Sequence, residues 1–262
     1  MVKVFDTHTH LNDEAFLGQE AEFVAHAAQL GVVKMAIVGS NTVLNRGAVK
    51  LAEQFDQLYA IVGWHPEDAK NFDAAAEAEL KHQLQLPKVI AIGEIGLDYH
   101  WDTSPREVQR EVFTKQLALA KALDLPVSIH SREALQETYD LLKAANLPAG
   151  RIIMHSFNAE PSWVKPFLDL GAYLSYSGVV TFKNADYLRE SLRQTPLDKL
   201  LVETDAPYLT PMPYRGRQNE PGYSYYVATG IADTLGLPVA TIAQQTYRNA
   251  HEVFNLSLED EG

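Results

Sequence analysis

SPREVQREVFTKQLALAKALDLPVSIHSR, residues 104–132, sets a helical segment directly before an apolar run that ends on a histidine. Ser104 stands where an N-cap is expected, Pro105 fits the first helical turn, and Glu107 completes a capping box. Pro126 to His130 then reads as a short buried strand, bounded by polar residues on its far side. One helix followed by one strand is half of a repeating α/β design, so the neighbouring sequence decides the fold.

Seven further apolar runs of strand length recur at regular intervals: Val2 to Asp6, Met35 to Val38, Tyr59 to Gly63, Val89 to Gly93, Ile152 to His155, Ala172 to Ser175 and Leu200 to Glu203. Helical stretches such as Glu14 to Leu30 and Val43 to Phe55 lie between them. Eight strand–helix units in 262 residues predict a single (β/α)8 TIM-type barrel, with an open doubly wound sheet as the alternative. No repeat, low-complexity tract or linker interrupts the chain, so one domain is expected over residues 1–256, followed by a frayed tail, SLEDEG, at 257–262. The longest irregular stretch, TPMPYRGRQNEPGYS, follows the eighth strand, and loops of that length are usually functional or mobile.

Composition narrows the function. A hydrophobic content of 46% can supply a large core, while the absence of any long apolar run argues against a membrane span. The N-terminus reads as carrying no cleavable signal, because charged and polar residues break its apolar run early. With no cysteine, disulfides and thiolate ligands are excluded; a cytoplasmic location is expected, and any metal must be held by nitrogen and oxygen. The net charge of −12, from 34 acidic and 22 basic residues, disfavours polyanion binding unless cations cluster locally.

The remaining signal is the placement of histidines and carboxylates. His8 and His10 follow the first strand in DTHTH, and side chains at i and i+2 of an extended chain share a face. His65 follows the third strand, Glu94 the fourth, His130 and His155 close the fifth and sixth, and Asp205 follows the eighth. In a barrel these ends converge on one mouth, which is where such folds place their chemistry. Imidazole and carboxylate suit zinc, manganese, nickel or iron, and a carboxylate can bridge two ions. His8, His10 and Asp205 would hold one ion and His130 and His155 the other, with Glu94 between them; two such ions activate a shared water. Asp205 is also placed to act as general base.

In DTHTHLN, GWHPE, GEIGLDYHW, LPVSIHSREA, MHSFNA, YLSYSGVVTFKNA, ETDAPYLTP, YRGRQNEP and RNAHEVF the chain resembles the TatD-type metal-dependent deoxyribonucleases, a branch of the amidohydrolase-related barrels. The resemblance spans nearly the whole chain. It implies a two-metal site at His8, His10, Glu94, His130, His155 and Asp205, filled by divalent ions such as Zn, Mg, Mn, Ni or Fe. It also implies hydrolysis of DNA phosphodiesters, often 3′-to-5′ on single-stranded or frayed ends. Two positions depart from the family pattern: Glu67 stands where a histidine is common, and Ser156 to Ala159 replace a segment often containing Cys and Gly.

Around the ligands, His65 is assigned to substrate phosphate contact or protonation of the leaving oxygen, with an orienting role as the alternative, and Glu203 to a hydrogen bond that orients a neighbour. Arg132, Lys183, Arg215 and Arg217 are candidates for backbone phosphates. Trp101, Tyr176 and Phe182 could stack on unpaired bases, although aromatics more often pack loops. The competing function is a binuclear hydrolase of a small amide, ester or lactone, since fold and ligands do not separate substrates. A metal-binding module without catalysis is disfavoured by the presence of all six ligands and a base. Neither a membrane nor an obligate protein partner is indicated.

Overall fold

The structure is a computed structural model that describes residues 2–101 and 103–258. Its strands are β1 (Val4–Thr9), β2 (Val32–Val38), β3 (Leu58–Val62), β4 (Val89–Asp98), β5 (Val127–Arg132), β6 (Ile152–Met154), β7 (Tyr173–Tyr176) and β8 (Leu200–Val202). Helices follow in alternation: α1 (Glu20–Gln29), α2 (Thr42–Gln54), α3 (Ala74–Gln83), α4 (Arg106–Leu123), α5 (Leu135–Ala145), α6 (Val164–Asp169), α7 (Asp186–Gln194), α8 (Ser224–Leu235) and α9 (Val239–Val253). The eight strands form one sheet in chain order. This is the expected (β/α)8 topology. Each expected strand is present, with ends shifted by a few residues; β4 shifts most, running on through Glu94 to Asp98.

The described residues divide into two compact units built from discontinuous segments. The first comprises 2–36, 155–168 and 173–258; the second comprises 37–101, 103–154 and 169–172. In the first unit, β1 lies beside β8. Asp205 N donates to His8 O at 2.9 Å, His10 N donates to Ala206 O at 2.8 Å, and Thr7 Oγ1 donates to Val202 O at 3.0 Å. First and last strands in contact remove a free sheet edge, which is what distinguishes a barrel from an open sheet. The Asp6 carboxylate ties this seam further, accepting from Thr204 N at 2.9 Å and Thr204 Oγ1 at 2.5 Å. Every residue of β1 is buried, as parallel strands covered on both faces require.

In the second unit, β3, β4, β5 and β6 pair in parallel, and α4 packs on β4. The buried face of α4 is Gln109, Val112, Phe113, Gln116, Leu117 and Ala120, an i, i+3, i+4, i+7 stripe. Gly96 has φ +147°, and a Cβ there would stand 1.9 Å from the His130 carbonyl oxygen. Only glycine fits where β4 crosses so close to β5.

Three local expectations change. The helix expected from Glu14 to Leu30 is a 3-10 turn at Glu14–Phe16, capped by Asp13, followed by α1; Gly18, at φ +80°, breaks the two apart. Ser104 does not cap α4, whose first residue is Arg106: its hydroxyl donates to Glu67 O at 2.7 Å and accepts from Lys70 N at 3.1 Å. The serine thus braces the segment after β3 instead of the helix. Tyr176 is fully buried with its hydroxyl on Thr195, so it is a core residue and cannot stack on a substrate. The tail expected at 257–262 lies outside the described residues from position 259 onward. Among the described residues no single helix is long and apolar enough to cross a membrane.

Candidate metal centre

The candidate ligands fall into two groups, one in each unit. In the first unit, His8, His155 and Asp205 each offer a donor atom within 4.8 Å of the others. His10 joins them: its Nε2 lies 3.3 Å from His8 Nε2 and 3.5 Å from Asp205 Oδ1. The His8 and His155 rings stack at 3.6 Å. His155 therefore stands with the first-strand histidines in its own unit. Its Nδ1 lies 2.8 Å from Glu203 Oε1, which also accepts from Ser156 N at 3.0 Å. Glu203 so takes the orienting part expected of it, leaving His155 Nε2 as the donor nitrogen.

Asp205 adopts φ +57°, a left-handed conformation that Asp tolerates better than most residues, and its own N–H on His8 O together with the His10 N–H on Ala206 O holds it there. Burial would raise its carboxyl, but the His10 contact and the neighbouring His155 and His8 outweigh that and hold it below the ordinary value. Asp6 behaves oppositely. Burial pushes it well above the usual carboxylate range despite its bonds to Thr204 and His8.

In the second unit, His65, Glu94 and His130 offer donors within 4.8 Å of one another. His130 Nδ1 is 2.9 Å from Glu94 Oε1 and its Nε2 is 2.8 Å from Asp98 Oδ2. Asp98 also accepts from the backbone of His100 and Trp101. Burial opposes ionisation of Asp98, yet the His130 contact and these N–H groups lower it to about 2. His65 is held differently: its Nδ1 accepts the Glu67 N–H at 3.2 Å, so a neutral ring carries its proton on Nε2, 3.6 Å from Glu94 Oε1. That tautomer suits a hydrogen-bond donor better than a metal ligand. Glu67 is raised by burial and by the Asp98 charge, against the pull of His130.

Sequence reading missed the residues that hold this unit's backbone. Gln109 Oε1 accepts from Asp98 N at 2.9 Å while its Nε2 donates to Asp98 O at 2.9 Å; Gln116 makes the same pair of bonds to Trp64, at 2.8 and 3.1 Å. Each buried glutamine satisfies both polar groups of one residue at a strand end. Leaving such groups unmet would cost about 1–3 kcal/mol apiece. Their heptad spacing on the buried stripe of α4 was the available signal. In the first unit Asn219 acts similarly, donating to Thr204 O and Tyr208 O across the loop after Asp205.

The basic candidates are exposed. Arg132 sits over Trp101 at 5.7 Å, Arg215 over Phe182 at 3.9 Å and Arg217 over Tyr214 at 5.7 Å; Lys183 follows Phe182 in the same first-unit segment. Trp101 is half exposed.

The donor chemistry fits divalent ions. Imidazole nitrogens and carboxylate oxygens converge in each unit, and His155 and His130 are backed by buried carboxylates, Glu203 and Asp98, in the carboxylate–histidine arrangement that supports a ligand.

Topology and donor sets together define a metal-dependent hydrolase on a (β/α)8 scaffold. The sequence matches the family described as TatD related DNase over residues 5–255, so the chain belongs to the TatD family. It is similar to the uncharacterized metal-dependent hydrolase YabD of Bacillus subtilis (41% identity; 97% of this chain, 100% of that one). The uncharacterized metal-dependent hydrolase TatD of Mycobacterium tuberculosis is 36% identical over 96% of this chain and 97% of its own. The crystal structure of the TatD homologue YjjV from Escherichia coli superposes with a TM-score of 0.92 at 32% identity, covering 97% of this chain and 98% of that one.

Proposed function

We propose that this chain is a cytoplasmic deoxyribonuclease that removes nucleotides from the 3′ ends of single-stranded or frayed DNA. The observation that carries the reading is the loop after Asp205: it leaves the His8, His155 and Asp205 donor set and within a dozen residues presents Arg215 and Arg217, both exposed. Guanidinium groups match phosphate oxygens, which a small neutral amide or lactone does not offer. The match to a family described as DNase supports it.

His8, His10, His155 and Asp205 in the first unit and Glu94 and His130 in the second are the residues that would hold divalent ions. When bound, divalent ions supply water activation and offset charge on the phosphoryl group. Asp205, kept ionised by its histidine neighbours, accepts the proton of the attacking water. The Nε2–H of His65 contacts the leaving oxygen, and Arg132, Lys183, Arg215 and Arg217 hold flanking phosphates.

The test sets metal-reconstituted protein side by side on 3′- and 5′-labelled single-stranded DNA, duplex DNA, RNA and a panel of amides and lactones. Stepwise 3′ shortening of single strands is expected, abolished by chelation or by Asp205→Asn and restored to the parent by added metal. Turnover of an amide or lactone without cleavage of any nucleic acid would replace this reading with the small-substrate one.

A further inference from the structure

We infer that Tyr208 is a substrate-binding residue on which the base next to the scissile phosphate stacks, which rests on the nuclease reading and deepens it. Tyr208 lies in DAPYLTP, three residues beyond Asp205, and is 56% exposed although Ala206 and Thr210 around it are buried. Its ring stands beside a candidate ligand: the centroid is 6.4 Å from that of His10, with planes inclined at 67°.

The backbone carrying this ring is fixed. Tyr208 N donates to Asp205 O at 2.8 Å, and Tyr208 O accepts from Asn219 Nδ2, which is fully buried and also donates to Thr204 O at 2.9 Å. A loop clamped at both polar groups could have turned its side chain inward; instead it holds a large aromatic face toward solvent at the edge of the donor set. Fixing a ring in advance lowers the ordering cost of binding a planar partner.

The same loop explains which planar partner. Met212, 40% exposed, adds a second apolar surface, and Arg215 and Arg217 add cations. Apolar faces followed on the same loop by guanidinium groups match the bases and phosphates of a nucleotide chain. Stacking of this kind tolerates any base, because every base has a π-face.

The experiment compares two oligonucleotides identical except at the 3′-terminal residues, which carry either natural bases or abasic tetrahydrofuran units. The readout is the ratio of kcat/KM between them. Tyr208→Ala is expected to lower that ratio by about 5- to 150-fold, the range for loss of one base–aromatic stack. Tyr208→Phe and Tyr208→Trp should retain it. In parallel, a 3′-terminal 2-aminopurine should be quenched on binding the parent and less so on binding Tyr208→Ala. An unchanged ratio in Tyr208→Ala, or a loss in Tyr208→Phe equal to that in Tyr208→Ala, overturns the stacking role while leaving the nuclease reading intact. Failure of the parent to cleave or bind either oligonucleotide would overturn the nuclease reading itself and this inference with it.

Discussion

Lowering the pH from 7.5 to 5 should destabilise this protein through one residue far in sequence from the ligands, His251. The ring is 1% exposed on α9, packed against Phe5. Its Nδ1 lies 2.8 Å from the Tyr247 carbonyl, which can only accept, so Nδ1 carries the proton and Nε2 accepts from Lys34 Nζ at 2.9 Å. A second proton would put an N–H against an ammonium. Burial, with Lys34 and Lys3, accordingly lowers His251 from 6.5 to about 4. Because the folded value lies below the unfolded one, the unfolded chain takes up the proton first. The contribution is complete above about pH 6.5, declines through the interval and is lost near pH 4. Applied to these two values, linkage gives a loss of about 2 kcal/mol by pH 5. That corresponds to roughly 4–8 °C in Tm for a domain of this size. The site histidines also titrate in this range, so the measurement is a difference: urea unfolding of metal-free parent and His251→Gln at both pH values. The parent should lose about 2 kcal/mol more than the variant on acidification. Equal losses would refute the argument that Lys34 and burial hold this ring neutral.

Two further outcomes follow from the centre and its frame. Asp98→Asn and Glu203→Gln should each weaken divalent-ion affinity by about 10- to 100-fold, measured by calorimetric titration, because each carboxylate backs a histidine. Retained affinity in both would mean that these carboxylates do not support His130 and His155. Gly96→Ala should lower stability by several kcal/mol in denaturant unfolding, since its Cβ would meet the His130 carbonyl oxygen at 1.9 Å; an unfolding midpoint equal to that of the parent would show that β4 and β5 can separate there without cost.

The strands were legible because parallel strands buried on both faces read as unbroken apolar runs, and the candidate ligands were legible because they end those runs. What escaped was polar and interior. Beyond Gly93, β4 continues through Glu94, Gly96 and Asp98, residues that on paper end a strand. Nothing local marks Asp98 or Asn219 as buried, and Gln109 and Gln116 are marked only by their seven-residue spacing on the apolar stripe of α4, since the backbone groups that the amides meet lie outside that helix. Ser104 shows the converse failure: a good capping sequence was outcompeted by a carbonyl and an N–H from the segment after β3. Tyr176 reads like any aromatic near a strand end, and only packing shows that it faces the core.

The paired glutamines of α4 make that helix a ruler as well as a wall. Gln109 grips Asp98 and Gln116 grips Trp64, next to His65, so two strand ends that carry candidate site residues of the second unit hang from one helix. One residue inserted between them would turn one grip by about 100° and advance it by about 1.5 Å relative to the other. The length of that seven-residue interval is thus under tighter constraint than the identity of most residues within it. Homologues should tolerate substitutions between positions 109 and 116 far more readily than a single insertion or deletion.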